Sequence, residues 1–186
     1  MEIIKIHEFY LTPDICMLKP ILVDKRNYSL VIELNRQYIV SCTVTRLINY
    51  ICTSLGTSLD VSLEYSNYVF SKVNEHAKSD TIIKLPIILT ALLQPYIFFP
   101  TASPKKKHNA WILWQNFRGH TMMNKQEMGL YFKKGVYIEE QLSFTTLSRQ
   151  QYYASILYFR HMDEVINRHQ KMDNRSIIER GLFLMT

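Results

Sequence analysis

The chain has 186 residues, the length of one ordinary domain. Apolar residues make up 47% and charged residues 20%, which excludes wholesale disorder, while 5 Gly and 6 Pro exclude a collagen-like or low-complexity chain. Twenty-two Lys and Arg against 16 Asp and Glu leave +6, an excess that points towards a polyanionic partner without establishing one.

Residues 15–23 are rich in branched and long apolar side chains and read as a strand. Asp24-Lys25-Arg26-Asn27 reads as a turn, 28–34 as a second strand, and 37–41 as a third, which together make a small antiparallel meander. Thr43 then opens a helical pattern, with Val44, Leu47, Ile48, Ile51 and Leu55 on one face and Gly56 at a C-cap position. Residues 58–73 are ambiguous and lean towards a second helix, and the polar run 76–80 reads as a loop. Residues 86–93 and 96–99 look like buried strands, with Pro95 forcing a break between them.

Further along, 101–109 is a loop holding three consecutive lysines, and 110–117 alternates as one strand bearing Trp111 and Trp114. Residues 128–132 and 136–138 flank Lys133-Lys134-Gly135, a hairpin signal. Ser148 with Gln151 resembles a capping box for a last amphipathic helix over about 147–171. The expected fold is α+β: a single domain over 1–175, mainly antiparallel sheet, with one helix in the N-terminal half and a long C-terminal helix. A tail over 176–186 carries an apolar patch at 181–185.

Charge is unevenly spread. Residues 1–80 carry eight basic and nine acidic side chains, whereas 81–134 carry eight basic residues against Glu127 alone. One strongly basic middle section lies between near-neutral flanks.

Motifs of catalysis are thin. The five glycines are far apart and form no phosphate-binding loop, so no nucleotide cofactor is expected. Cys16, Cys42 and Cys52 are odd in number, with no Cys-x-x-Cys pair, which predicts neither a disulfide framework nor a zinc site. His161 and His169 stand two turns apart, too far to share one metal. The adjacent acids Glu139-Glu140 and Asp163-Glu164 diverge on a strand or a helix, which disfavours a paired acid–base role. Cys52 reads as a buried, inert thiol within an apolar helix. The chain is therefore expected to be no enzyme.

The first eight residues mix acids into what would be a signal peptide, and Lys84, Pro86, Gln94 and Pro95 interrupt the apolar stretch 82–100. No membrane association and a cytoplasmic location are expected. Polyanion binding is better supported: Lys105-Lys106-Lys107-His108 joins two strands, and Arg118, His120, Lys133 and Lys134 follow. Connections at one sheet edge would gather these charges onto one surface, each lysine releasing counterions as it meets a phosphate. Asn109 and Asn116 are candidate readers of base edges. One tryptophan is expected in the core and the other at the surface or in a dimer contact.

Residues 46–58, from Arg46-Leu47-Ile48 through Cys52 to Gly56-Thr57-Ser58, are similar to the helix, cysteine and Gly-Ser-Ser segment of the competence transcription factor (ComK) family of Gram-positive bacteria. Lys84-Leu85-Pro86-Ile87, Phe98-Phe99-Pro100-Thr101-Ala102-Ser103-Pro104 and Trp111-Ile112 resemble that family's most recognisable block, spacing preserved, and Tyr152-Tyr153 with Ile156-Leu157 fit its final helix. The resemblance implies a cytoplasmic activator of DNA-uptake genes that binds paired AT-rich boxes of double-stranded DNA through the minor groove, as dimers and higher oligomers. It also implies RNA polymerase, a Clp-type protease and its adaptor as partners, with Leu182, Phe183, Leu184 and Met185 standing where the adaptor's segment would be. On that reading the DNA-binding residues are Lys105, Lys106, Lys107, His108, Asn109, Arg118, Lys133 and Lys134.

Three departures accompany the likeness. Leu59-Asp60-Val61-Ser62-Leu63-Glu64 stands where the family continues with Gly-Arg and further basic residues. The stretch from there to Pro86 is longer than the family's, and Asn109 replaces a cysteine. The alternative reading is an interaction protein that keeps the fold and partners while its DNA binding is weakened or lost.

Overall fold

The first half of the chain folds into the antiparallel meander that its apolar runs and turn residues predict. A computed structural model describes residues 1–73, 85–91, 94–102 and 108–183, with side chains of the last helix described as far as residue 167. After the short strand β1 (Ile3–Ile4) come β2 (Ile15–Val23), β3 (Arg26–Glu33) and β4 (Gln37–Val40). Asp24 and Lys25 both take left-handed φ, 47° and 63°, the two-residue turn whose twist suits a hairpin. Thr43 caps helix α1 (Val44–Ser54) by accepting the Arg46 amide, and Gly56 (φ 78°) follows its end.

The ambiguous stretch is helical: α2 (Leu59–Val73) buries Ser62, Ser66, Val69 and Phe70 at helical spacing. The predicted loop at 76–80 lies outside the described residues. Two strands follow, β5 (Ile87–Ala91) and β6 (Gln94–Pro100). Pro95 sits inside β6, opposite Thr90, so it does not mark the break. Its missing amide costs nothing there, because β7 pairs only with Phe98, Phe99 and Pro100.

The single strand expected over 110–117 is two strands and a turn. β7 (Trp111–Leu113) gives way to a 3-10 turn over Trp114–Asn116, and β8 (Phe117–Asn124) starts a second sheet. Side chains replace the strand ladder at the turn. Gln115 accepts the Ile97 amide (3.1 Å) and donates to the Pro95 carbonyl (2.7 Å), while Asn116 donates to the Pro13 and Ile15 carbonyls (2.6 and 2.7 Å). The expected Lys-Lys-Gly hairpin then joins β9 (Glu127–Phe132) to β10 (Tyr137–Glu140). The last helix, α3 (Phe144–Phe183), is longer at both ends than predicted. Its cap is Ser143, which accepts the Thr146 amide at 3.3 Å; Ser148 lies inside the helix.

Seven strands form one sheet in the order β1-β4-β3-β2-β7-β6-β5, and β10-β9-β8 form another. Both faces of the larger sheet are covered. On one face, α1 packs its apolar stripe against Leu18, Val31, Phe98, Trp111 and Leu113. On the other, Met17, Ile32, Phe99 and Ile112 meet the smaller sheet through Met128, Leu130 and Phe132, with Phe70 of α2 and Leu157 of α3. A bulge between Ile15 and Met17 sends Cys16 and Met17 to the same face.

Trp111, only 1% exposed, is the core tryptophan, and Trp114 is half-buried against Tyr158 at 5.3 Å. Replacing Trp111 by alanine is expected to cost about 3–5 kcal/mol in urea unfolding.

The three cysteines are free and buried. Burial pushes the Cys16 thiol up to about 12, helped by Asp14 and Glu33, pushes Cys52 up to about 11, and raises Cys42. The folded state thus favours neutral thiols. Their contribution to stability is full below the ordinary thiol range and is lost as pH climbs towards 11 and 12. The folded chain is expected to resist a thiol reagent at about pH 8 and to lose urea resistance by about pH 10.5.

Candidate nucleic-acid interface

Cations held on short connections are the candidate contacts, so what fixes each connection matters. The loop between β6 and β7 is clamped at its base. The Thr101 amide donates to the Ala110 carbonyl (2.9 Å), the Ala110 amide donates to Thr101 Oγ1 (3.0 Å), and the Ala102 amide donates to Asn109 Oδ1 (2.9 Å). All four residues are buried. Asn109, a candidate reader of base edges in the sequence, is buried here and its carboxamide oxygen closes the stem. Asn116, likewise buried, is committed to Pro13 and Ile15.

His108 is exposed at the stem's edge. Lys105, Lys106 and Lys107, like Lys84, lie outside the described residues.

A second basic place is formed by the smaller sheet. Phe117 pairs with Phe132 and Gly119 with Tyr131, which leaves Arg118 bulged and exposed between them. Beyond Phe132 the chain makes a 3-10 turn over Lys133–Gly135, with Lys134 at φ 55° and Gly135 at φ 75°, closed by the Phe132 amide on the Val136 carbonyl (2.8 Å). Arg118, Lys133 and Lys134 therefore share one end of the β8–β9 pair. Lys134 is exposed, whereas Lys133 is half-buried and acts on Cys16 against Asp14 and Glu33. Lys125 sits in the turn at the far end of the same strands, roughly 20 Å away at 3.4 Å per residue.

The stem of the β6–β7 connection and the Arg118 end of the smaller sheet flank β7. The loop stem closes at its first residue, where Pro100 pairs with Trp111, and Arg118 follows the turn that leaves its other end. The strand break at Trp114 carries Arg118 and the hairpin lysines into the smaller sheet, off the edge of the seven-stranded one. A contact that joins the sheets, Lys19 Nζ to Glu140 at 2.7 Å, went unread because its partners are 121 positions apart. Thr101 stood out in the sequence as part of the Phe-Pro-Thr block and Asn109 as a candidate reader of base edges, and neither signalled the stem that joins them. On the outer face of the smaller sheet, the rings of Tyr131 and Tyr137 meet at a tilt, their centres 5.1 Å apart. The Tyr137 ring lies so close over Gly129 that a Cβ there would clash.

Among the described residues no three His, Cys, Asp or Glu side chains come together as a metal site, and no helix is long and apolar enough to cross a membrane. The fold defines a two-sheet α+β domain with a hydrogen-bonded stem between β6 and β7 and cations grouped at a tight hairpin. The family model described as ComK protein matches residues 6–165, and the chain belongs to the ComK family, a family of competence transcription factors. No curated protein and no solved structure matches it.

If the stem is held as described, Asn109→Ala leaves the buried Ala102 amide without its acceptor and is expected to lower stability by about 1–3 kcal/mol in urea titrations. His108→Ala, at an exposed position, is expected to change it by less than about 0.5 kcal/mol.

Proposed function

We propose that the chain is a DNA-binding transcriptional activator of competence genes that contacts the phosphates of AT-rich promoter boxes through Lys105, Lys106, Lys107, Arg118, Lys133 and Lys134, as a dimer or higher oligomer. Membership of the ComK family carries this reading. The grouping of Arg118 with Lys133 and Lys134 at one strand end supports it, as does a lysine loop whose base is fixed by buried hydrogen bonds. A clamped base lowers the ordering cost of bringing three cations to a phosphate row. His108 stands nearer the groove, and Asn109 acts through the stem.

Minor-groove approach suits this equipment, since narrow A-tract grooves concentrate negative potential and attract inserted cations. RNA polymerase and a Clp adaptor with its protease are the protein partners of this reading, with Leu182, Phe183, Leu184 and Met185 as the adaptor's segment.

A second reading, an interaction protein with weakened DNA binding, is favoured by Asp60 and Glu64. Both are exposed on α2 where the family carries basic residues.

Filter binding of an AT-rich duplex across salt concentrations separates the two. Activator function predicts a log–log slope near −4 to −5, and Lys105→Ala/Lys106→Ala/Lys107→Ala flattens it by about 2 to 3. Absence of any salt-dependent binding, with the adaptor still co-purifying, decides for the interaction protein.

A further inference from the structure

Helix α3 has two unlike faces. Leu147, Gln150, Ala154 and Leu157 are fully buried against the sheets, at the spacing of a helix stripe. On the opposite side stand Tyr152, 55% exposed, Phe159, 64% exposed, and Ile166, 50% exposed. They are seven residues apart, twice over. Seven steps of about 100° fall about 20° short of two full turns, so the three side chains make one near-straight apolar line about 21 Å long. Ile156 and Met162, both partly exposed, flank that line. Large apolar side chains repeating every seven residues along a helix are what a second helix packs against.

We propose that this line is a homodimer interface, in which α3 of one copy packs antiparallel against α3 of a second. Two observations select that occupant. First, the helix has 40 residues, about 60 Å, and a second copy brings a helix with the same seven-residue spacing. Second, the charges beside the line complement themselves. Arg160 and Asp163 are exposed on the same flank of Phe159, and neither forms an ion pair among the described residues.

A two-fold axis crossing the helix between positions 161 and 162 sets Arg160 level with Asp163 of the second copy, and the reverse. The same axis places Phe159 of the second copy level with position 164, in the gap between Phe159 and Ile166. A parallel pair turns the opposite flank, with Ser155 and Met162, towards Asp163, and offers it no cation. The antiparallel pair satisfies both the packing and the charges.

The line is short against the roughly 800 Å² per partner of a standard interface, so the dimer is expected to be of micromolar strength. The proposal gives a surface to the oligomer in the reading above and rests on that reading for its biological use. Its test contains no DNA, so the surface and the DNA contacts fail separately.

Sedimentation equilibrium of the full chain, from about 1 to 200 μM, is expected to show a reversible monomer–dimer equilibrium. Phe159→Lys, with an unchanged circular dichroism spectrum, is expected to be monomeric. Arg160→Asp and Asp163→Arg alter only exposed positions and are each expected to weaken the dimer about tenfold, while the two together restore it to within about threefold. A wild-type monomer at the highest concentration overturns the proposal, and so do single charge reversals without effect or a double reversal that stays weak.

Discussion

Two-sided burial of the seven-stranded sheet is the constraint on which the other features depend. Along β2, β6 and β7, successive side chains feed different cores: Leu18, Phe98 and Trp111 pack under α1, while Met17, Phe99 and Ile112 pack under the smaller sheet. A slip of one residue would exchange the two sets across the sheet. Register is therefore fixed from both sides, and the single bulge at Cys16 is tolerated because Met17 and Cys16 both find room in the same core. With β7 held between β2 and β6, the ends of that three-residue strand become fixed points. One is the stem of the lysine loop, and the other leads directly to Phe117 and Arg118.

Much of this was legible in the sequence, and for local reasons. The meander follows from apolar runs rich in branched side chains, broken by Asp24-Lys25 and Asn35-Arg36, and α1 follows from a Thr43 cap, a helical stripe and Gly56. The hairpin at Lys133-Lys134-Gly135 was visible because left-handed turn residues between apolar strands are a short-range signal. What escaped depends on distant partners. Trp114, Gln115 and Asn116 continue the alternation of a strand on paper, yet the two carboxamides bond to Pro95, Ile97, Pro13 and Ile15, and those bonds turn the chain. Asn109 looked like a reader of bases because it follows three lysines, but the acceptor its neighbour Ala102 needs lies seven residues on. The start of α3 was misplaced since Ser143 and Ser148 are equally plausible caps until burial of Leu147 decides between them.

The acids that replace expected basic residues after Gly56 have a structural account of their own. Asp60 lies in the first turn of α2, where a carboxylate offsets the positive end of the helix dipole. Glu64 is one turn on, and both are exposed, away from the buried Ser62, Ser66, Val69 and Phe70. Small side chains at 62 and 66 let the helix approach the sheet closely enough for the Ser66 hydroxyl to reach the Pro86 carbonyl at 2.7 Å. That bond anchors the backbone just before β5. The departure from the family is thus consistent with helix formation, and it places negative charge on the solvent side of α2 at no cost to the core.

Electrostatics then gives the three cations at one end of the β8–β9 pair different characters. Lys133 is within electrostatic reach of the Cys16 thiol, where it opposes Asp14 and Glu33, and Glu33 is itself bonded by Arg36 at 2.6 Å and by Thr12 and Tyr38. Lys134, one residue on, is held in a left-handed conformation that turns it to solvent, and Arg118 is lifted from the ladder by a bulge. Neither has a carboxylate partner among the described residues. At physiological salt the Debye length is about 8 Å, so each exposed cation acts over little more than its own neighbourhood and net charge alone does not steer a duplex. Local grouping is what counts. For that reason the break at Trp114 matters more to the proposed DNA binding than the total of +6: it moves Arg118 off the long sheet and sets it beside the hairpin lysines.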